Sequence, residues 1–200
     1  MKLPFSLRIE ICGGIASGKT TLAKLLQKNN FKPVLENFNK NPFLEQFYKN
    51  PTAYSFETET TFLLQHFNQI KESQKRGSSF ICDFSLLLDL AFANVTLNPT
   101  ERNVFKAVYN EAIRKTKLPN AIIYLKCNPK ILLQRIHQRD RSYEVAITKK
   151  YLENINKALV LRLKRINKKV KIIIIDSQMY NFNNKKDGDA VVDIIQKELG

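Results

Sequence analysis

A chain of 200 residues is long enough to bury a core and short enough to be one domain. No apolar run approaches the ~20 residues of a membrane span. Three cysteines, Cys12, Cys82 and Cys127, lie in or beside apolar runs, and neither their odd number nor their spacing suits a disulfide framework or a metal site. The formal charge of +15 favours polyanionic partners, with nucleotide phosphate and nucleic acid the two candidates. The N-terminal stretch Met1 to Phe5 leads into a strand pattern without a signal-peptide core, and with unpaired thiols this predicts a cytoplasmic protein.

In chain order, residues 7–12 read as a strand holding Ile9 and Ile11. Next comes Gly13-Gly14-Ile15-Ala16-Ser17-Gly18-Lys19-Thr20, which fits G-x-x-x-x-G-K-[ST]. Residues 20–28, with Leu22, Leu25 and Leu26, form the helix that this loop should open. The chemistry needs these residue types. Glycine at 13 and 18 lets the backbone wrap closely around phosphates. The loop N–H groups and the helix N-terminus point at negative charge. Lys19 is placed to bridge β- and γ-phosphate oxygens, and Thr20 to offer its hydroxyl to Mg²⁺. The expected ATP-contacting run is Gly13, Gly14, Ile15, Ala16, Ser17, Gly18, Lys19, Thr20 and Thr21.

Residues 33–35 are a weaker strand. Glu36 follows them before the Asn41-Pro42 break, where a carboxylate can take the proton of an attacking hydroxyl. Residues 56–75 repeat Phe62, Leu63, Phe67 and Ile70 at helical spacing. The run 80–82 is a strand that ends at Asp83, a group suited either to Mg²⁺ or to capping a helix over 86–90. A strand at 121–125 precedes a helix over 129–139, which opens with proline. Arg135 and Arg139 share a face of that helix and Arg141 lies just beyond, a set suited to charge on a transferring phosphoryl group.

Residues 148–169 form an amphipathic helix with Tyr151, Leu152, Ile155, Leu159, Leu163 and Ile166 on one side. The basic excess falls on this helix, and no interleaved aromatics accompany it, which disfavours nucleic acid as a partner. Residues 170–175 are the fifth strand, 185–188 read as a surface loop, and 189–199 as a closing helix. Nearly continuous apolar strands between helices predict a doubly wound α/β domain around a five-stranded parallel sheet, with ligands beyond the carboxyl ends of the strands.

A phosphate loop names the co-substrate and leaves the reaction open. The order and spacing of further segments resemble the deoxynucleoside kinase family across nearly the whole chain. These are residues 11–22, 36–48 (E-N-F-N-K-N-P-F-L-E-Q-F-Y), 54–67, 83–93 and 135–144 (R-I-H-Q-R-D-R-S-Y-E). The resemblance implies a P-loop kinase fold with a helical lid, ATP and Mg²⁺, a deoxynucleoside substrate and a homodimer. It implies that Glu36 is the base near the 5′-hydroxyl. Asp83 helps bind Mg²⁺ with Thr20, and is sometimes given the base role instead. Tyr48 and Glu144 hold the sugar 3′-hydroxyl, Phe92 stacks on the nucleobase, and Asp89 lies at the base edge. Arg135, Arg139 and Arg141 are lid arginines, and the loop after Asp176 lies near adenine.

Three positions depart from the pattern. Phe84 stands where the family commonly has an arginine that orients the catalytic carboxylate. Glu59 replaces a base-reading glutamine, and His66 replaces an arginine two turns further along the same face. An ionised Glu59 offers only acceptors, which suits the paired donors of guanine, with His66 donating to O6. Asp89 nearby opposes that by favouring a protonated Glu59. Two rivals stay open on sequence. A nucleoside monophosphate kinase would need extra basic residues, against which Glu36 and Asp83 speak. A catalytically silent P-loop domain is favoured by Phe84.

Overall fold

The computed structural model describes residues 7–29 and 31–199, so the expectation about Met1 to Phe5 lies outside the described residues. The five apolar runs become strands β1 (Arg8–Gly13), β2 (Lys32–Val34), β3 (Phe80–Cys82), β4 (Ala121–Lys126) and β5 (Lys171–Asp176). All pair in parallel, in the order β2-β3-β1-β4-β5. Every residue of β1 and β3 is buried, as strands covered on both faces require, and the two charged residues of β1, Arg8 and Glu10, are paired at 3.4 Å.

The helices are α1 (Lys19–Leu26), α2 (Leu44–Lys49), α3 (Pro51–Lys75), α4 (Leu86–Thr96), α5 (Pro99–Thr116), α6 (Pro129–Arg139), α7 (Lys149–Ile166) and α8 (Lys185–Leu199). On one face of the sheet, Leu22 and Leu26 of α1 and Val191 and Ile195 of α8 pack with Ile9, Ile11, Ile123 and Ile175. Each such aliphatic side chain contributes about 1.5–3 kcal/mol by leaving water. On the other face α4 and α7 share a core, where Leu87 and Ala91 meet Ile155, Leu159 and Leu163. The basic residues of the α7 region, Lys149, Lys150, Lys164, Arg165, Lys168 and Lys169, are exposed. All three cysteines are buried and unpaired.

Five helices differ from the sequence expectation. Helix α3 begins at Pro51, because the Asn50 side chain accepts from Ala53 N and caps it. Helix α4 continues to Thr96. Helices α2 and α5 were not expected. Helix α5 buries little, chiefly Phe105, Ala112 and Thr116, so its apolar periodicity is faint. Its start does carry a signal, since Asn98 and Glu101 form a capping box around Pro99.

The expected loop at 185–188 is instead the first turn of α8. The Asn184 side chain accepts from Lys186 N at 2.9 Å and Asp187 N at 3.3 Å, and Gly188 lets the turn settle against Leu25. Among the described residues, no helix is long and apolar enough to cross a membrane.

Candidate active site

A cavity of about 1020 Å³ opens beyond the carboxyl ends of the strands. Its floor is the loop between β1 and α1. Gly18 sits at φ +98°, a left-handed conformation natural to glycine, and Ala16 is also left-handed at φ +62°. Gly13 and Gly14 lie beneath the loop, while Ile15 through Thr21 line the cavity. A Cβ on Gly13 would come within 2.7 Å of Ser17 Oγ and 2.8 Å of Leu125 O, so this position has no room for a side chain. Lys19 Nζ curls back to donate to Gly13 O at 3.3 Å and Gly14 O at 3.2 Å. Burial lowers its pKa, against the pull of Glu36 and Asp83.

Asp83, at the end of β3, ties three segments together. It accepts from the Thr20 hydroxyl at 2.5 Å and from the backbone N–H of Glu36 at 2.6 Å. Burial pushes its carboxyl above the usual range. It does not cap α4, because the Ser85 side chain accepts from Leu87 N and does that work. The hydroxyl of Thr20 and the carboxylate of Asp83 are hard oxygen donors, few in number. That suits Mg²⁺, which keeps several waters and takes its other ligands from phosphate.

Glu36 is half-buried, and its Oε1 lies 3.2 Å from Nε2 of His66. Burial works to raise its pKa, but His66, Lys19 and Arg141 outweigh that and hold it low, so the carboxylate is ionised at neutral pH. The far end of the cavity is lined by Tyr48, Glu59, Asp89, Phe92 and Glu144, with Phe62 and Tyr151 among them. Glu59 accepts from the Thr96 hydroxyl at 3.1 Å. Burial, and then the charge of Asp89, push its pKa up to about 8.

His66 is not among the lining residues. It is 2% exposed and stands behind the wall, with Nδ1 within 2.9–3.0 Å of both Asp89 oxygens. The expected reach of His66 toward a base is therefore corrected. The spacing with Glu59 places it on the right helix face, but α4 packs against that face and takes the imidazole.

The arginines are all engaged. Arg135 donates to Ser177 O at 2.8 Å, against the loop after β5. Arg139 makes two bonds to Glu144, at 2.7 and 2.5 Å. Arg141 stacks over Phe38 at 4.0 Å. The segment after α6 is a short 3₁₀ turn, Ser142–Ala146, so the expected lid region consists of one helix end and one tight turn. Sequence reasoning missed Phe62 and Tyr151, which it read as core stripes. It also missed Phe182, whose ring reaches within 2.9 Å of where a Cβ on Gly18 would sit and whose loop has no motif.

The family model for deoxynucleoside kinases matches residues 9–199. The chain belongs to this family. A deoxyguanosine kinase of Bacillus subtilis is similar at 32% identity over 192 residues, covering 92% of this chain and 93% of its own. A deoxyadenosine/deoxycytidine kinase of the same organism is 29% identical, covering 77% and 75%. Among solved structures, the deoxyadenosine kinase of M. mycoides with bound dATP superposes at TM-score 0.80 with 25% identity. That match covers 95% of this chain and 99% of the other. The shared architecture is the five-stranded parallel sheet with flanking helices. The family carries deoxynucleoside kinase activity, and relatives of this chain act on deoxyguanosine, deoxyadenosine and deoxycytidine.

Proposed function

We propose that this deoxynucleoside kinase transfers the γ-phosphoryl group of ATP to the 5′-hydroxyl of a purine deoxynucleoside, with deoxyguanosine favoured. The observation that carries the first half is the linkage Thr20–Asp83–Glu36, which sets an ionised carboxylate beside the phosphate loop. In this reading Glu36 accepts the 5′-hydroxyl proton while the oxygen attacks phosphorus and the bond to the β-phosphate oxygen breaks. Lys19, Arg135, Arg139 and Arg141 hold the charge that spreads over the transferring group. Mg²⁺, held by Thr20, Asp83 and waters, would neutralise phosphate charge. Tyr48 and Glu144 take the sugar 3′-hydroxyl, and Phe92 stacks on the base. Cytoplasmic location and a homodimer belong to the same reading.

The base preference rests on Glu59. With a pKa of about 8, ionising it at pH 7 costs about 1.4 kcal/mol, one pKa unit. Guanine offers N1–H and a 2-amino donor side by side, and hydrogen bonds to a charged acceptor contribute about 1.5–3 kcal/mol each. The carboxylate therefore wins for guanine. Adenine presents an acceptor beside its amino group, and it is matched only by the protonated acid. The 32% identical deoxyguanosine kinase supports the same choice.

Initial rates with ATP, Mg²⁺ and four deoxynucleosides at equal concentration test the proposal. Deoxyguanosine should be fastest at pH 7. Its advantage over deoxyadenosine should grow as pH rises through about 8, where Glu59 loses its proton. Glu59→Gln should shift the ratio towards deoxyadenosine by about ten- to hundredfold and remove the pH effect. A wild-type enzyme preferring deoxyadenosine or deoxycytidine, with the order unchanged in Glu59→Gln, overturns it.

The lid is tested separately. With Arg139 and Arg141 recruited to phosphate, residues 139–147 should exchange amide hydrogens more slowly with an ATP analogue than without. Equal exchange in both states removes the lid role.

A further inference from the structure

We propose that His66 is the positioning residue for the base Glu36, presenting to it a buried cation from α3. The proposal rests on the kinase reading of Glu36 given above. Three geometric facts carry it. The imidazole is almost wholly buried, and its Nδ1 is fixed by both oxygens of Asp89 on α4. Phe84 lies face to face with the ring, centroids 4.0 Å apart and planes 6° apart, and Phe62 is a second stacked neighbour at 5.8 Å. With Nδ1 pinned and the ring held flat, Nε2 has one direction left, and 3.2 Å along it is Glu36 Oε1.

The Nε2 approach is off the ideal line for a hydrogen bond, and within the described residues Nε2 has no other partner, so charge is what ties the two groups. The acidic groups facing the ring are Glu36 from the loop after β2, Asp89 from α4 and Glu59 from its own helix. Burial opposes an imidazolium there, yet Asp89 and Glu36 outweigh it and raise His66 to about 10. Phe84 has a part in this arrangement. Its ring is the surface that aims the imidazole, and an imidazolium over a phenyl face is itself favourable.

Two experiments test this. In steady-state kinetics with deoxyguanosine, His66→Asn should lower kcat on the order of 10²-fold, as expected when a reacting group is displaced by about 1 Å, with KM little changed. Phe84→Arg in the His66→Asn background should recover most of that loss. A raised KM at wild-type kcat, or equal loss in single and double variants, overturns the proposal.

The second experiment needs no turnover and no core variant. Nitrogen NMR of the full chain reads His66 directly, since only one other histidine, His137, must be assigned, by His137→Asn. Both ring nitrogens should be protonated at pH 8, and Glu36→Gln should lower the titration midpoint. A neutral ring at pH 8, or an unmoved midpoint, overturns the proposal. Absence of turnover in the wild type would sink the kinase reading without touching the NMR result.

Discussion

Lys19→Ala should reduce kcat by a factor on the order of 10²–10³ while leaving the protein folded. The two halves of that expectation come from different features. Among the described residues, Lys19 Nζ donates to Gly13 O and Gly14 O, at 3.3 and 3.2 Å, and these bonds reach no further than the end of β1 and its own loop. Removing it takes the donor from Gly13 O and Gly14 O, both buried beneath the loop, at a cost of about 1–3 kcal/mol. Thermal melting should therefore show a modest loss of stability with unfolding still cooperative. The charge is needed once the γ-phosphoryl group leaves its oxygen, because burial makes a fixed cation worth far more there than in water. Near-wild-type turnover in Lys19→Ala would remove the phosphate loop from the mechanism.

Glu36→Gln should be at least as severe, lowering kcat by a factor of ~10²–10⁴ with a much smaller rise in KM. The amide keeps the shape and removes the basicity. The backbone N–H that Glu36 gives to Asp83 Oδ1 is unaffected, so the loop after β2 should stay in place. Asp83→Asn gives the contrast. It disturbs the Thr20 hydroxyl and the Glu36 N–H together, and in the proposed assignment its effect runs through Mg²⁺. Measured over a magnesium series, Asp83→Asn should recover partly at high metal concentration and Glu36→Gln should not. A mild Glu36→Gln beside a severe, metal-insensitive Asp83→Asn would exchange the two roles.

Much of the sheet could be read from the chain because fully buried parallel strands leave an unusual trace, short runs such as Ile122-Ile123 with nothing polar between them. The phosphate loop was legible for a stricter reason, since backbone–phosphate contact tolerates few residue types at 13, 18 and 19. Asp83 marks where legibility stops. A carboxylate followed two residues later by serine fits a metal group or a helix cap, and the Ser85 bond to Leu87 N removes the cap reading. His66 shows the same limit at longer range. Helical spacing gives its face, but the element packed on that face is fixed by the α3–α4 contact, which no local pattern encodes. Helix α5 was missed because it hides few side chains, although Asn98-Pro99-Thr100-Glu101 announced its start.

The place of β1 has a consequence for how the chain comes together. β1 is the centre of the sheet, yet its neighbours β3 and β4 arrive about 70 and about 110 residues later. During synthesis, at about 5–20 residues per second, a strand that exposes Ile9, Ile11 and Cys12 with both edges unpaired must wait several seconds or more for its partners. Until Leu125 has emerged, Ile9 and Ile11 are an exposed template for pairing with another chain. Fragments ending before β4 are thus expected to aggregate rather than fold.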